Sequence, residues 1–333
     1  MADYPIDIVI TWVDGSDPVW LAEKQKYSPG IDTDARPERY RDWENLHYIF
    51  RGIEKFAPWI NNIFFITWGY LPKWLNTNVS NLKIINHRDY IPPEYLPTFS
   101  ANPIELNFHR IKELSEHFIY FNDDMFLINK TRPSDFFVKG KPCDSAILYT
   151  PILEETDWFM FFEFRSISIL NKYFKLRKVV KNSIGKWFNL KYGKKLYLSL
   201  ALLLLGGKKF TGLWNHHLPS SLCKSTIIEL WKKEGEKLHQ TCLNRFRNVM
   251  DFNQWLFKNW QVASGNFYPR SIKFGRALKA GRRSCDYIKR QEGKIVCIHD
   301  SIYNMTEHDF IEAKRNLINS FDRILPDKSK FEI

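Results

Sequence analysis

Short runs of β-branched and aromatic residues alternate with stretches of helical spacing along the N-terminal part of this chain. The runs are Ile6–Val13, Ile63–Trp68, Leu82–Asn86 and Phe118–Phe121. Between the first two, apolar residues from Trp43 to Ala57 recur at the spacing of one helical face, and Pro58 ends that pattern. Strands that alternate with helices build mostly parallel sheets covered on both faces. The sequence therefore predicts an α/β fold with a mostly parallel sheet flanked by helices.

Size and charge narrow the functional classes. With 333 residues, 44% of them hydrophobic, the chain can bury one large α/β core or two smaller ones. The formal net charge of +12 favours anionic partners, which include nucleotide-sugars, phospholipid surfaces and nucleic acids. A basic nucleic-acid-binding protein would carry its charge on a recognisable module, and none is visible. A partner among nucleotide-sugars or phospholipids is therefore favoured over nucleic acid.

The cysteines and the apolar runs indicate the compartment. Five cysteines, an odd number without C-x-x-C spacing, are typical of reduced thiols in a cytosolic protein rather than of a disulfide framework or a zinc site. The longest apolar run, Leu196–Leu205, is about half the length of a membrane-spanning helix. No basic segment followed by an apolar one precedes the first strand, so no signal peptide is expected. We expect a cytoplasmic protein without a transmembrane helix.

One stretch differs in composition from the rest. From Lys172 to Lys209 the chain has many Lys and Arg residues, no Asp or Glu, and interleaved Phe, Leu and Tyr. This pattern favours an insertion that lies against the anionic inner face of a membrane, where each Lys or Arg adds about 1 kcal/mol of attraction. The alternative is a solvated basic loop packed by its leucines.

Two adjacent carboxylates end the run that begins at Phe118. Asp123 and Asp124 follow Phe121-Asn122, and in open α/β sheets ligands bind at the carboxyl edge of the strands. Carboxylates at such an edge can hold Mg²⁺ together with substrate phosphates. The alternative is an Asn-Asp-Asp turn that only ends the strand.

Two further strand ends resemble this arrangement. The first run closes in Trp12-Val13-Asp14-Gly15, where a carboxylate and a glycine commonly meet the nucleoside of a ligand, although an ordinary Asp-Gly turn explains them nearly as well. Near the C-terminus, the apolar run from Lys294 ends in His299-Asp300. Asp300 could therefore add a third carboxylate to the metal site.

Glu105 has a structural and a catalytic interpretation. Asn102 can cap a helix, Pro103 suits its first position and Glu105 falls at its third, where a capping-box Glu reaches back to the Asn102 amide. A carboxylate near the same sheet edge could instead orient or deprotonate an incoming hydroxyl.

Two later segments carry candidate phosphate ligands. Adjacent His216 and His217, followed by Leu-Pro, suggest a positioned loop in which an imidazole can donate to a charged oxygen. Arg245 and Arg247 would point the same way from an extended segment and match phosphate geometry. The competing interpretation is an exposed helical pair between Arg247 and Asp251, worth only about 0.3–0.5 kcal/mol.

In this order, these segments resemble the Stealth family of sugar-1-phosphate transferases, which includes bacterial capsular and exopolysaccharide phosphotransferases and the N-acetylglucosamine-1-phosphotransferase catalytic core. The four family regions correspond here to Ile6–Gly15, Arg39–Lys130, the block around His217-Leu218-Pro219, and Val296–Asp300. The second region has the most specific motifs, which are Arg41-Asp42-Trp43-Glu44-Asn45-Leu46, Leu96-Pro97-Thr98-Phe99-Ser100, His109-Arg110-Ile111 and Phe121-Asn122-Asp123-Asp124. His299 and Ser301 stand where other members often carry Asn.

The resemblance implies a role for each matched position. The catalytic positions are Glu105, Asp124, His217 and Arg247. The positions that bind substrate are Trp12, Asp14, Gly15, Arg41, Asp42, His109, Arg110 and Arg245. The ligands of Mg²⁺ or Mn²⁺ are Asp123, Asp124 and Asp300. The implied architecture is that of a nucleotide-sugar transferase (GT-A-like).

The implied reaction splits a UDP-sugar between its two phosphates, moves the hexose-1-phosphate or N-acetylhexosamine-1-phosphate to a glycan hydroxyl and releases UMP. The acceptor would be a polyprenyl-diphosphate-linked glycan at the inner leaflet of the plasma membrane. A conventional glycosyltransferase that releases UDP is the alternative. We expect one catalytic unit over residues 1–333: a nucleotide-sugar-binding core (1–165), a basic insertion (166–212) and a C-terminal part that completes the site (213–333).

Overall fold

The computed structural model describes residues 3–27, 42–152, 158–205, 207–299 and 306–333, except for the side chains of residues 158 and 159. Arg41 and Asp300, two of the predicted site residues, lie outside the described residues.

The centre of the fold is a sheet in which β-branched and aromatic runs lie side by side. Its strands, in spatial order, are β3 (Leu82–Asn86), β2 (Ile63–Thr67), β1 (Ile6–Thr11), β4 (His117–Phe121) and β8 (Ser220–Cys223). The first four are mutually parallel, whereas β8 runs antiparallel to β4. The predicted α/β fold with a mostly parallel sheet is confirmed, and the four predicted runs differ from the observed strands by no more than two residues at either end.

The sheet is buried on both faces, which explains why its strands are nearly continuous apolar runs. Ile8, Ile10 and Phe65 belong to one core cluster, which also contains the buried apolar residues of the helix Leu46–Phe56. Their sequence neighbours Val9 and Phe64 belong to the second cluster on the opposite face. This alternation is the two-residue period of a strand, applied to a sheet that has a core on each side.

Helices cover both faces of the sheet and fill the C-terminal half. In chain order they are α1 (Pro18–Lys26), α2 (Leu46–Phe56), α3 (Ala101–Leu106), α4 (Trp158–Tyr173), α5 (Leu176–Asn182), α6 (Ile184–Trp187), α7 (Lys195–Leu205), α8 (Lys224–Leu243), α9 (Trp255–Ala263), α10 (Arg282–Arg290) and α11 (Glu307–Ile324). All nine residues of α9 are buried, so this helix is part of the interior. Thr306 caps α11 by accepting a hydrogen bond from the Asp309 amide.

Two small sheets extend the core. One has the order β10-β11-β5 and the other the order β6-β7-β9, built from β5 (Met125–Leu127), β6 (Phe137–Val138), β7 (Lys141–Asp144), β9 (Tyr268–Pro269), β10 (Gly275–Lys279) and β11 (Ile295–His299). β5 begins directly after Asp124 and pairs antiparallel with β11. The first small sheet therefore brings the C-terminal strand β11 beside the end of β4.

The basic stretch from Lys172 to Lys209 folds mainly as helices, since α5, α6 and α7 all lie within it. α4 continues across residue 166, so the predicted start of the insertion falls inside a helix. Among the described residues, no helix combines the length and the hydropathy needed to span a membrane.

Candidate active site at the carboxyl edge of the central sheet

Asp124 is fixed at the end of β4 by the neighbouring strand β11. Its backbone oxygen accepts a hydrogen bond from the Ile298 amide at 2.8 Å. The Cys297 thiol donates to the Asp124 Oδ2 atom at 3.3 Å. The backbone and one carboxylate oxygen of Asp124 are thus both held by β11.

His217 reaches the same place through strand pairing. In the β4–β8 pair, Ser220 lies opposite Tyr120, so the residues that precede Ser220 continue past the end of β4, where Asp124 lies. The Nε2 atom of His217 is 3.8 Å from Asp124 Oδ2. The backbone of His217 has a φ of +48°, in the left-handed region that residues other than glycine seldom adopt.

The side chains around Asp124 could hold a cation, and the Asp124 carboxylate is the group best suited to bind it. Ligand atoms of Asp124, His217 and Cys297 all lie within 4.8 Å of one another. The Oδ1 atom of Asp124 is buried and makes no hydrogen bond within the described part of the chain. Burial raises the pKa of Cys297 well above its usual value, with the charge of Asp124 adding to the effect, so the thiol stays protonated. Cys297 therefore acts as a donor to Asp124, and a hard cation would bind the carboxylate oxygens.

Asp123 adds a second carboxylate beside Asp124. Its side chain is accessible to solvent. Even so, the protein atoms packed around it, followed by the charges of Asp124 and Asp42, raise the pKa of Asp123. Solvent access limits the first of these causes, whereas the repulsion between like charges remains and is what a bound cation would relieve.

Glu105 is buried on α3, with both carboxylate oxygens occupied by donors. The Tyr120 hydroxyl donates to Oε1 at 3.0 Å, and the Gln254 amide donates to Oε2 at 2.9 Å. Burial raises the pKa of Glu105 to about 7, and these two hydrogen bonds and the charges of Arg247 and His217 oppose the rise. A carboxylate in this state can exchange a proton near neutral pH.

The capping-box interpretation of Glu105 is wrong. Ser100 is the residue that caps α3, accepting a hydrogen bond from the Asn102 amide, so the helix begins at Ala101 rather than at Pro103. Glu105 then lies at the fifth helical position, too far along to reach back to the cap. Its partners come instead from β4 and from the residue before α9.

The helical pair between Arg247 and Asp251 is also wrong. Arg247 lies in an irregular segment after α8, and Asp251 is fully buried. The Asp251 carboxylate accepts hydrogen bonds from the side chains of Asn102 and Asn244 and from the Asn248 amide. The positive charge of Arg247 opposes the rise that burial causes in the pKa of Glu105, Asp123 and Asp251.

The loop after β1 borders the same edge of the sheet. Trp12 stacks on Phe65, with ring centroids 5.8 Å apart. The Asp14 carboxylate accepts hydrogen bonds from the Ser16 amide and hydroxyl, which closes the turn that contains Gly15. Asp42 accepts a hydrogen bond from the Glu44 amide, and its charge acts on Asp123.

Three other predicted substrate-binding residues make contacts with other parts of the chain. The Arg245 guanidinium donates to the backbone oxygens of Leu96 and Pro97 and lies over the ring of Tyr27. His109 and Arg110 both pack against Trp231 of α8. Arg110 also donates to Asn107 Oδ1, and the role of all three residues in binding substrate stays a prediction.

Comparison with known proteins identifies the family. The family models for Stealth protein CR1, conserved region 1, and Stealth protein CR2, conserved region 2, match residues 4–32 and 39–144. The capsular polysaccharide phosphotransferase WcwK of Streptococcus pneumoniae is 41% identical over 334 residues, which cover 98% of each chain. The chain belongs to the Stealth family.

Other relatives of this Stealth protein have related names. The receptor polysaccharide phosphotransferase WefC of Streptococcus oralis is 41% identical over 98% of this chain and 99% of its own. The exopolysaccharide phosphotransferase cps2G of Lactiplantibacillus plantarum is 34% identical over 99% of this chain and 96% of its own. The Stealth protein described here is accordingly a transferase enzyme.

A solved structure of the galactosyltransferase LgtC with donor and acceptor sugar analogues aligns with 96% of each chain, at 9% identity and a TM-score of 0.41. A likeness of this size carries no conclusion about the Stealth chain.

Sequence reasoning missed several residues that organise this Stealth site. Tyr120 and Gln254 donate hydrogen bonds to Glu105, and Cys297 donates one to Asp124. Lys258 donates to Asn215, which also accepts a hydrogen bond from the His217 amide. Cys297 was visible as the residue three before Asp300 in the fourth region, but nothing local indicated its partner. Lys258 carried no sequence signal, because it lies in an apolar helix and its partner Asn215 is 43 residues away in the chain.

Proposed function

We propose that this protein transfers a sugar-1-phosphate from a UDP-sugar to a hydroxyl of a glycan acceptor, with release of UMP, in the synthesis of a capsular or exopolysaccharide. The observation that carries the proposal is the 3.8 Å separation of His217 Nε2 from Asp124 Oδ2, and it is supported by the charges of His217 and Arg247, which act on the buried carboxyl of Glu105. The names of the relatives support transfer of a phosphorylated group in polysaccharide synthesis.

The residues suit a reaction that depends on positioning and on neutralising charge. Phosphoryl transfer spreads negative charge over the non-bridging oxygens, and the enzyme must hold and neutralise them. Arg247 and His217 would bind those oxygens, since a guanidinium and an imidazole both donate to phosphate. The loop with Trp12, Asp14 and Gly15, together with Arg41 and Asp42, would line the donor.

Glu105 is the candidate that orients or deprotonates the acceptor hydroxyl. Its pKa of about 7 lets it accept a proton near neutral pH. The two donors that hold its oxygens also fix its direction. Glu105 as a metal ligand is the alternative assignment for this residue.

A divalent cation completes the proposed site. Asp124, with Asp123 or Asp300, would hold Mg²⁺ or Mn²⁺, which when bound offsets charge on the diphosphate of the donor. The buried Oδ1 atom of Asp124 and the raised pKa of Asp123 both fit such a ligand set.

The nucleotide product tests the reaction. The purified protein is incubated with a panel of UDP-sugars, Mg²⁺ and a glycan acceptor, and the nucleotides are separated by chromatography. UMP that appears in proportion to transferred sugar phosphate supports the proposal. Release of UDP instead would show a conventional glycosyltransferase and would overturn it.

The acceptor is proposed to be a glycan on a polyprenyl diphosphate, reached by peripheral binding of the protein to the inner face of the plasma membrane. Several large apolar side chains of the basic stretch are exposed, among them Leu190 (90%), Tyr197 (75%) and Leu205 (86%). Lys194, Lys208 and Lys209 of the same stretch are exposed as well. Apolar side chains among lysines are typical of a surface that binds anionic lipid.

A further inference from the structure

The first turns of α9 contact two of the candidate catalytic residues. The Gln254 amide, directly before the helix, donates to Glu105 Oε2 at 2.9 Å. The ring of Trp255 lies edge-on to the imidazole of His217, with centroids 6.3 Å apart and an interplanar angle of 88°. Lys258 lies three residues after Trp255, hence on the same side of the helix. This side of α9 therefore faces the site.

Lys258 is a buried cation with two polar partners in the described structure. Its exposed fraction is 4%. The Nζ atom donates to Asn215 Oδ1 at 2.9 Å and lies 3.6 Å from Asp144 Oδ1. Burial lowers the pKa of Lys258, and the charge of Asp144 opposes that shift. Because a buried charge costs free energy unless it is paired and hydrogen-bonded, its place within an apolar helix requires an explanation.

Asn215 connects Lys258 to the backbone of His217. The same Oδ1 atom that accepts from Lys258 also accepts from the His217 amide, at 3.5 Å, which forms an Asx turn. An ammonium group has donors and no acceptor, so it holds the oxygen rather than the nitrogen of the Asn215 amide on this side. The direction of the side chain that supports the turn is thereby set by Lys258.

The conformation of His217 needs such support. A non-glycine residue with a φ of +48° is strained and persists only where its surroundings hold it. The same conformation directs Nε2 toward Asp124 at 3.8 Å.

We propose that Lys258 is a positioning residue, which acts through Asn215 to hold the His217 loop in the conformation that aims the imidazole at Asp124. Lys258 does not touch the reacting groups in this arrangement. The catalytic consequence rests on the proposed function of His217, whereas the structural link does not. The competing role is a purely structural one, in which Lys258 only neutralises the buried carboxylate of Asp144.

The structural link is tested by NMR on the full chain with ¹⁵N-labelled histidine, in which His217→Asn assigns the His217 imidazole signals. Lys258→Met removes the ammonium group and keeps most of the apolar stem. Asn215→Ala removes the link and leaves the pair between Lys258 and Asp144, so it remains informative if Lys258→Met does not fold. The matched control is Lys224→Met, because Lys224 also donates to protein oxygens, those of Ile111 and Leu114, and has no contact with the His217 loop among the described residues.

Both variants of the link should shift or broaden the His217 signals, and the control should leave them in place. Unchanged His217 signals in folded Asn215→Ala or Lys258→Met protein would overturn the proposal. This readout needs no turnover, so it decides the link even if the protein releases no UMP and the proposed function fails.

Kinetics then test whether the link acts through His217. Lys258→Met and Asn215→Ala should each lower kcat about tenfold or more, with a smaller change in the KM for the donor, since a misplaced side chain loses transition-state contacts. In a His217→Asn background the same substitutions should cause no further loss, because their target is gone. An equal fold-loss in both backgrounds would assign Lys258 a general structural role and overturn the proposal.

Discussion

The imidazole of His217 and the carboxylate of Asp124, which belong to segments far apart in the chain, lie 3.8 Å from each other between Nε2 and Oδ2. The antiparallel pairing of β8 with β4 brings them together, because it carries the loop before Ser220 past the end of the strand that leads to Asp124. The contact joins Asp124, a candidate cation ligand, to His217, a candidate hydrogen-bond donor to the phosphate oxygens. Loss of either residue should therefore affect one and the same chemical step.

Asp124→Asn should lower kcat by about 100-fold or more, because it removes the carboxylate charge that would hold the cation beside the diphosphate of the donor. Chelation with EDTA should abolish the activity of the wild-type protein, and Mg²⁺ or Mn²⁺ should restore it. The measurement is UMP release against Mg²⁺ concentration. Asp322→Asn is the control, since Asp322 accepts a hydrogen bond from Tyr48 on α2 and has no described contact with the site. Wild-type kinetics in Asp124→Asn would contradict the assignment.

The pH dependence of kcat/KM should follow the ionisation of the Glu105 carboxyl. Burial raises the pKa of Glu105 to about 7, and a base must be deprotonated, so kcat/KM should rise with pH through about 7 and then level off. The Tyr120 hydroxyl stabilises the charged carboxylate, so Tyr120→Phe should raise this pKa further and move the acidic limb to higher pH. Profiles of wild type and variant give the shift.

Tyr48→Phe is the control for this shift in pKa, because the Tyr48 hydroxyl donates a hydrogen bond to Asp322 rather than to Glu105. An acidic limb that stays in place in Tyr120→Phe, or that moves to lower pH, would remove Glu105 from the role of base.

Cys297 should tune the cation affinity of Asp124. Its thiol donates to Asp124 Oδ2, so Cys297→Ala frees that carboxylate to turn, whereas Cys297→Ser retains a donor. The alanine variant should need roughly 10-fold more Mg²⁺ for half-maximal rate, the magnitude usual for lost support of a metal ligand, and serine should restore most of the affinity. Cys285→Ala, at a buried cysteine of α10, should have no effect on this titration. Equal Mg²⁺ dependence in all three variants would be the contrary result.

The basic stretch should mediate membrane binding. Replacing exposed Lys175, Lys178, Lys181 and Lys194 by Gln should weaken co-sedimentation with anionic vesicles, since each lysine contributes about 1 kcal/mol at an anionic surface. Turnover of a soluble acceptor should be preserved. Neutral vesicles and a variant with Gln at exposed Lys328 and Lys330 serve as controls. Unchanged binding to anionic vesicles would assign the lysines to solvation alone.

Local sequence determined the elements whose signal lies within a few residues. The sequence predicts Leu82–Asn86 with the bounds of β3, and the helical pattern that Pro58 ends is observed as α2, which ends at Phe56, because apolar periodicity is a local property. The family motifs also lie within single segments, so the Stealth resemblance was available from sequence. The position of Asp123 and Asp124 after a strand was available for the same reason.

Tertiary structure decided which of several local possibilities was realised. Ser100 and Asn102 can both cap α3, and packing selected Ser100, which moved Glu105 from a cap to a buried position between Tyr120 and Gln254. The direction of β8, the buried hydrogen bonds of Asp251 and the contact of Lys258 with Asn215 depend on residues far apart in sequence. No local pattern encodes such contacts, because the free energy that selects them comes from burying surfaces and satisfying polar groups that meet only in the folded chain.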